Sequence, residues 1–264
     1  MSFLQVQGVT AGYGKQPVIN DIAFQLDAGC LMGVIGANGS GKTTLLKALC
    51  GILPHQGCCT LEGTVLEKLT ARQLARHVSY IPQRSGIAID ISALDVVLMG
   101  FNPQLGLLEH PDKAMRETAM QALAQVGLGA KADVNYLHLS EGQKQLCILA
   151  RTLISGSKLL LLDEPESALD FRYRHQMLSL LRKWVASGRR SAVVTLHDPT
   201  LALNFCDRLL LIHGSGVLGE IQPKTMPLEQ MERMLSQVYG DISLQRCCNR
   251  MGETQIVMLG EDAT

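Results

Sequence analysis

The stretch from Leu31 to Gly51, LMGVIGANGSGKTTLLKALCG, constrains this chain more than any other. It opens with the apolar run Leu31 to Ile35, which reads as a buried strand. It breaks into the glycine-dense turn Gly36-Ala37-Asn38-Gly39-Ser40-Gly41 and continues as Lys42-Thr43-Thr44-Leu45-Leu46-Lys47-Ala48-Leu49, an apolar-striped helix closed by Gly51 and Pro54. The spacing G-x-x-x-x-G-K-[ST] is met from Gly36 to Thr43, with strand before and helix after, as a phosphate-cradling loop requires. Glycines let successive N–H groups curl around a phosphate without a Cβ in the way. The helix beginning near Lys42 turns its positive end to the same anion. Lys42 suits the β- and γ-phosphates, and the Thr43 hydroxyl suits Mg²⁺. An ordinary glycine-rich turn explains the composition but not the full spacing in that setting. The chain is expected to bind a nucleoside triphosphate.

A second stretch supplies the chemistry. In Lys158-Leu159-Leu160-Leu161-Leu162-Asp163-Glu164-Pro165, four consecutive leucines suit a central parallel strand buried on both faces. Carboxylates at the C-terminal end of such a strand lie where open parallel sheets hold ligands. Asp163 suits Mg²⁺ coordination, and Glu164 is placed to orient or deprotonate an attacking water. Glu166 is a weaker third candidate, because Pro165 turns the chain. Ser191 to Leu196 reads as another buried strand, and His197 at its end occupies the position that Asp163 occupies on its own strand. That placement lets His197 meet the γ-phosphate from the far side. The other histidines (His55, His77, His110, His138, His175 and His213) show no metal-binding spacing.

Around these stretches the chain punctuates itself. Residues 3–9 and 22–27 pattern as strands on either side of a turn, Ala11-Gly12-Tyr13-Gly14-Lys15. Tyr13 suits stacking on a purine and equally suits a plain turn. Residues 57–66 read as a short strand and turn, Leu69 to His77 as a helix, and Val78 to Ile81 as a strand ending at Pro82-Gln83. From about residue 88 the pattern turns helical: Leu94, Val97, Leu98 and Phe101 form one stripe. After the breakers between Pro103 and Pro111, Met115, Ala119, Ala122, Leu123 and Val126 form another. Leu139-Ser140-Glu141-Gly142-Gln143 precedes a helix, Lys144 to Ile154, and Ser140 with Gln143 has capping-box spacing, which predicts a sharply defined helix start. The segment is either a well-capped helix or a second anion-binding helix end. Ser167 to Asp170 leads into an amphipathic helix, Phe171 to Ser187. Residues 207–221 read as a hairpin, Leu228 to Tyr239 as a helix and Ile256 to Leu259 as a last strand.

Composition narrows the class. Acidic and basic residues balance at 24 each, which gives no electrostatic case for nucleic acid. No apolar run reaches the ~18–20 residues of a membrane span, and the N-terminus MSFLQVQGVT lacks a signal layout. Eight cysteines without a C-x-x-C spacing read as reduced, mostly buried thiols rather than a zinc or disulfide framework.

Taken together the motifs resemble the nucleotide-binding subunit of ATP-binding cassette (ABC) proteins, over essentially the whole chain. Gly36 to Thr44 looks like the Walker A loop, Leu159 to Glu164 like Walker B, and Gln83 like the Q-loop glutamine. Leu139 to Gln143 looks like the signature, Ser167 to Asp170 like the D-loop, and His197 like the switch histidine. The resemblance implies an α/β fold: a P-loop NTPase core with a parallel central sheet, an N-terminal antiparallel β subdomain and an inserted helical subdomain. Residues 1–264 would form one nucleotide-binding domain, with the helical subdomain at about 88–155 and a C-terminal extension at about 222–264. The cofactors implied are ATP and Mg²⁺. Catalysis would rest on Glu164, His197 and Gln83. ATP would be held by Tyr13, Gly36, Asn38, Gly39, Ser40, Gly41, Lys42, Thr43 and Thr44, with Ser140, Gly142, Gln143 and Asp170, and the metal by Thr43, Gln83 and Asp163. The family packs two such subunits head to tail, so Ser140 and Gly142 would serve the opposing copy's nucleotide. Further implied partners are transmembrane permease subunits and, through the complex, a substrate-binding protein; no nucleic acid is implied. The expected location is the cytoplasmic face of the cell membrane. Ser92 to Pro103 and Val238-Tyr239-Gly240 are similar to bacterial metal-chelate importers, for iron–siderophore, haem, cobalamin or molybdate. Other ABC transporters share every catalytic residue. DNA- or ribosome-acting ABC ATPases generally carry long coiled coils or two cassettes, and a P-loop kinase would leave the signature, D-loop and His197 unexplained. Two residues depart from the pattern: Glu141 stands where glycine is commonest, and Glu166 adds charge beside the D-loop.

Overall fold

The computed structural model describes residues 2–260 apart from 15, 84–85, 107, 168 and 251. Lys15 of the first expected turn, Leu107 of the breaker-rich segment and Ala168 of the Ser167–Asp170 segment lie outside the described residues.

Two strands, β1 (Leu4–Tyr13) and β2 (Gln16–Leu26), open the chain as a hairpin. The expected turn at Ala11 to Lys15 is shorter than its composition suggests, because pairing runs through Ala11, Gly12 and Tyr13. Gly12 serves close strand approach: a Cβ there would sit 2.2 Å from the Gln16 carbonyl. The chain then crosses to β3 (Leu31–Gly36) and α1 (Lys42–Leu49), and returns to the first sheet as β4 (His55–Leu61) and β5 (Thr64–Val65). This antiparallel sheet has the order β2-β1-β4-β5.

Helix α2 (Ala71–His77) starts at Ala71 rather than Leu69, because Thr70 and Gln73 form a reciprocal capping box. Strand β6 (Val78–Ile81) leads into the helical stretch: α3 (Ala93–Leu98), α4 (Lys113–Gln125) and α5 (Glu141–Leu153). Each begins at a side-chain cap, Ser92, Asp112 or Ser140. Then follow β7 (Leu159–Asp163), α6 (Phe171–Ala186), β8 (Ser191–Thr195), α7 (Pro199–Phe205), β9 (Arg208–His213) and β10 (Gly216–Ile221). The second sheet has the order β10-β9-β3-β8-β7-β6, parallel throughout except for the antiparallel edge strand β10.

The leucine run is explained by what lies on each side of that sheet. Leu159 and Leu161 join Met32, Val34, Leu45 and the β1/β2 apolar face in one core, whereas Leu160 and Leu162 join α3, α5 and α6 in another. Both faces are dry, so alternation disappears. Each such leucine contributes ~1.5–3 kcal/mol by leaving water.

The C-terminal region holds α8 (Leu228–Tyr239) and a hairpin of β11 (Ile242–Cys248) and β12 (Thr254–Gly260). Strand β11 is unexpected from sequence: its outer half, Gln245 to Cys248, is exposed and carries no apolar alternation. Cys247 and Cys248 are therefore exposed, Cys50 and Cys58 are half-buried, and only Cys30, Cys59, Cys147 and Cys206 fit the expectation of buried thiols. The hairpin docks on α7, where the Asn204 side chain bonds both the N–H and the carbonyl of Ile256. Among the described residues no helix is long and apolar enough to cross a membrane.

Candidate active site

Strand β3 ends at Gly36, where a Cβ would meet the Ile212 carbonyl at 2.3 Å, so that glycine fits the loop against β9. Gly39 and Gly41 supply the positive φ values, 80° and 99°, that curl the chain into α1. Lys42 is only 5% exposed, and its Nζ donates to the carbonyls of Gly36 at 2.9 Å and Ala37 at 3.2 Å. Burial lowers its pKa, while Glu164, Asp163 and Glu166 pull the other way. Ser40 Oγ is buried with no hydrogen-bond partner among the described residues. An orphaned hydroxyl in a ring of glycines is a donor awaiting an acceptor. Residues Asn38 to Thr44, with Val18 and Glu164, line a cavity of about 200 Å3.

Asp163 ends β7 beside this loop. Its Oδ1 accepts from Thr43 Oγ1 at 3.0 Å and from Thr195 Oγ1 at 3.0 Å, and its Oδ2 accepts from the Tyr80 hydroxyl at 3.2 Å. Tyr80 is in turn pushed up in pKa, first by burial and then by the Asp163 charge. The donors assembled at Asp163 and Thr43 are all oxygen, the set a hard divalent cation such as Mg²⁺ takes.

Glu164 bends the chain with φ 47°, a left-handed conformation that costs a non-glycine residue ~1–3 kcal/mol and clusters at functional sites. It is held there because its N–H donates to Thr195 Oγ1 at 2.8 Å and its carbonyl accepts from Ser167 N–H at 3.1 Å. The bend delivers the carboxylate to two expected neighbours: Oε2 accepts from Gln83 Nε2 at 2.6 Å and from His197 Nε2 at 2.7 Å. Two residues far apart in sequence, Gln83 and His197, thus converge on one oxygen of a third.

Glu166 turns inward despite Pro165. It is buried, its Oε1 accepts the His197 backbone N–H at 2.9 Å, and its Oε2 has no partner among the described residues. Burial raises its pKa, opposed by the His197 N–H. The Gln83 carbonyl accepts from the buried Gln145 side chain of α5 at 2.7 Å, which ties the helical stretch to the Glu164 cluster. Tyr80, Thr195, Gln145 and the inward Glu166 were not singled out, or were discounted, on sequence. The one available signal was a polar residue inside an apolar run, as in VSYI and SAVVT.

The remaining candidates lie apart from the loop. Tyr13 is 56% exposed and lines a cavity of about 700 Å3 with Gly12, Gln16, Leu53 and Pro54; Lys47 Nζ sits 5.9 Å from its ring centroid. Ser140 and Gln143 cap α5 reciprocally, with Ser140 Oγ accepting the Gln143 N–H at 3.3 Å, and no residue of 139–143 lines the phosphate-loop cavity. Glu141 points along its own helix to Lys144 Nζ at 2.8 Å. Asp170 caps α6, accepting the Tyr173 N–H at 3.0 Å.

Comparisons with known proteins show the family and the fold. The family model for the ABC transporter matches residues 19–167. The manganese transport system ATP-binding protein MntB of Bacillus subtilis is 36% identical over 213 residues, 80% of this chain and 83% of that protein. The hemin import ATP-binding protein HmuV of Vibrio parahaemolyticus is 34% identical over 243 residues, 90% of each chain. Among solved structures, a metal-chelate type ABC transporter in an inward-facing conformation superposes with a TM-score of 0.81 over 98% of both chains, at 28% identity.

Proposed function

Because the chain belongs to the ABC transporter family, we propose that it is the ATP-hydrolysing subunit powering import of a metal chelate, haem being the form its relatives favour. It is an ATPase coupled to transport, and its fold is that of the family's α/β nucleotide-binding subunit. The observation that carries the mechanistic reading is the convergence of Gln83 and His197 on Glu164 Oε2 beside the phosphate loop.

The loop residues Gly36 to Thr44 hold the β- and γ-phosphates through backbone N–H groups, with Lys42 and Ser40 adding side-chain donors. Tyr13 stacks on the adenine from the cavity it lines with Gly12, Gln16, Leu53 and Pro54. Thr43 and Asp163 would hold Mg²⁺, and Gln83, whose amide nitrogen donates to Glu164, would supply its amide oxygen as a further ligand. When bound, that cation neutralises charge on the phosphate oxygens. Glu164 orients the attacking water and takes its proton, a contribution of ~10²–10⁴-fold. His197 fixes the carboxylate through Nε2 and faces the γ-phosphate. Thr195 and Tyr80 keep Asp163 in register with Thr43.

Two copies of the chain pack head to tail about a two-fold axis, each signature helix end facing the other copy's ATP. Hydrolysis separates them, and the Gln145–Gln83 contact passes the motion through the helical subdomain, residues 88–155, to permease subunits. A substrate-binding protein joins through the complex, which sits at the cytoplasmic face of the membrane.

A second reading is import of the free manganese ion, favoured by the relative MntB. Reconstituting the chain with its cognate permease in vesicles separates the two: ATP-driven haem uptake without manganese uptake supports the first, and the reverse pattern the second. ATP turnover that ignores both the permease and protein concentration would contradict the coupled dimer.

A further inference from the structure

The structure brings together three side chains whose sequence positions had suggested no metal site. His55 opens β4, Cys59 lies four residues along the same strand, and Glu67 sits on the single turn after β5. The imidazole Nε2 or Nδ1, the thiol sulfur and a Glu67 carboxylate oxygen all lie within 4.8 Å of one another. We propose that His55, Cys59 and Glu67 form a binding site for a borderline divalent cation of the zinc class, separate from the ATP site.

The geometry supports this at each ligand. His55 Nε2 stands 3.6 Å from Glu67 Oε1. Two donors at a tetrahedral zinc are ~3.3–3.8 Å apart, given bonds of ~2.0–2.3 Å, so this pair stands at ligand spacing, with Glu67 Oε1 also accepting the Cys59 backbone N–H at 2.6 Å. The other ring nitrogen, Nδ1, is 3.0 Å from the Gln56 carbonyl. Donation of Nδ1–H to that oxygen leaves the Nε2 lone pair facing the cluster, the outer contact that metal-bound histidines usually keep. Cys59 is 1% exposed, and a cation bound there replaces the thiol proton, which leaves to solvent. One nitrogen, one sulfur and one oxygen suit zinc or cobalt(II) far better than the all-oxygen set at Asp163 and Thr43. Access exists: all three residues line a cavity of about 300 Å3, shared with Ala48 and Leu49 of α1. A cation there rests against the C-terminal end of the phosphate-loop helix.

The test is a cobalt(II) titration of the full chain carrying Cys247→Ser and Cys248→Ser, since those two thiols are exposed and adjacent. The expected result is one cobalt per chain with a thiolate-to-metal charge-transfer band, displaced by zinc and absent in Cys59→Ser. His55→Gln and Glu67→Gln, at less buried positions, should each weaken binding at least tenfold and serve if Cys59→Ser does not fold. No charge-transfer band, or a band that survives in Cys59→Ser, overturns the site. Unchanged affinity in both other variants overturns it as well.

Discussion

Two places in the molecule offer backbone N–H groups to an anion, and they differ in everything else. The start of α1 is surrounded by partners from β6, β7 and β8: Lys42 is locked inside its loop and Asp163 receives three side-chain donors. Among the described residues, the start of α5 is capped from within its own helix: Ser140 and Gln143 satisfy each other, Glu141 is tied to Lys144, and none of residues 139–143 lines the phosphate-loop cavity. The first is a complete half of a site. In the proposed head-to-tail pair, the second is the surface to which the other copy would bring its phosphate. Glu141, which departs from the family pattern, has its charge drawn along the helix flank by Lys144.

The sharpest way to break this contrast is Glu164→Gln. It should lower ATP turnover by ~10²–10⁴-fold while nucleotide binding, read by a fluorescent ATP analogue, stays intact; full turnover would remove Glu164 from its assigned role. Next in size, Ser140→Ala should cost at least tenfold in turnover yet leave ATP binding to the single chain unchanged. The lost cap by itself accounts for only ~0.5–2 kcal/mol of stability, so a variant that folds, binds and does not turn over marks α5 as serving a second chain. Equal losses of binding and turnover would place Ser140 in its own chain's site.

Smaller still, Thr195→Val strips an acceptor from the Glu164 N–H and a donor from Asp163. Leaving one buried polar group unpaired costs ~1–3 kcal/mol, so urea or thermal unfolding should show a loss in that range. No loss would mean the Glu164 bend stands without its tether. The smallest effect concerns Glu166, whose carboxyl burial holds above the ordinary carboxylate range. Between that range and its raised value the folded chain keeps a proton the unfolded chain has released, so stability falls as pH rises through this window. Glu166→Gln keeps the acceptor for the His197 N–H and removes the titration. Its melting temperature should exceed that of the parent chain above the window, and the two should converge as pH falls below it. Parallel curves would show that Glu166 does not titrate there.

Much of this was legible in the sequence, for physical reasons that can be named. The Gly36 to Thr43 spacing fixes a strand, a loop and a helix at once, and the four leucines before Asp163 require a strand dry on both faces. The capping box at Ser140 forecast a sharply defined helix start, but the helix begins at Glu141, directly after the cap, and not at the expected Lys144. What escaped were contacts made by chemistry that spacing does not encode. Thr195 supports Glu164 and Asp163 from a neighbouring strand, and Glu166 turns back under His197 although Pro165 precedes it. Strand β11 lacks alternation because its outer half is exposed, and the Thr70–Gln73 box moved a helix start that apolar periodicity had placed at Leu69. His55, Cys59 and Glu67 meet only because β4 and the turn after β5 fold onto each other.

The most direct measurement is solution scattering, with light-scattering mass, on the Glu164→Gln chain with and without ATP and Mg²⁺. The account predicts a compact two-fold dimer that forms only with nucleotide, holds one ATP per chain, and reverts to single chains when Ser140 is also replaced by alanine. A nucleotide-saturated chain that stays single, with Leu139 to Gln143 open to solvent, would contradict it.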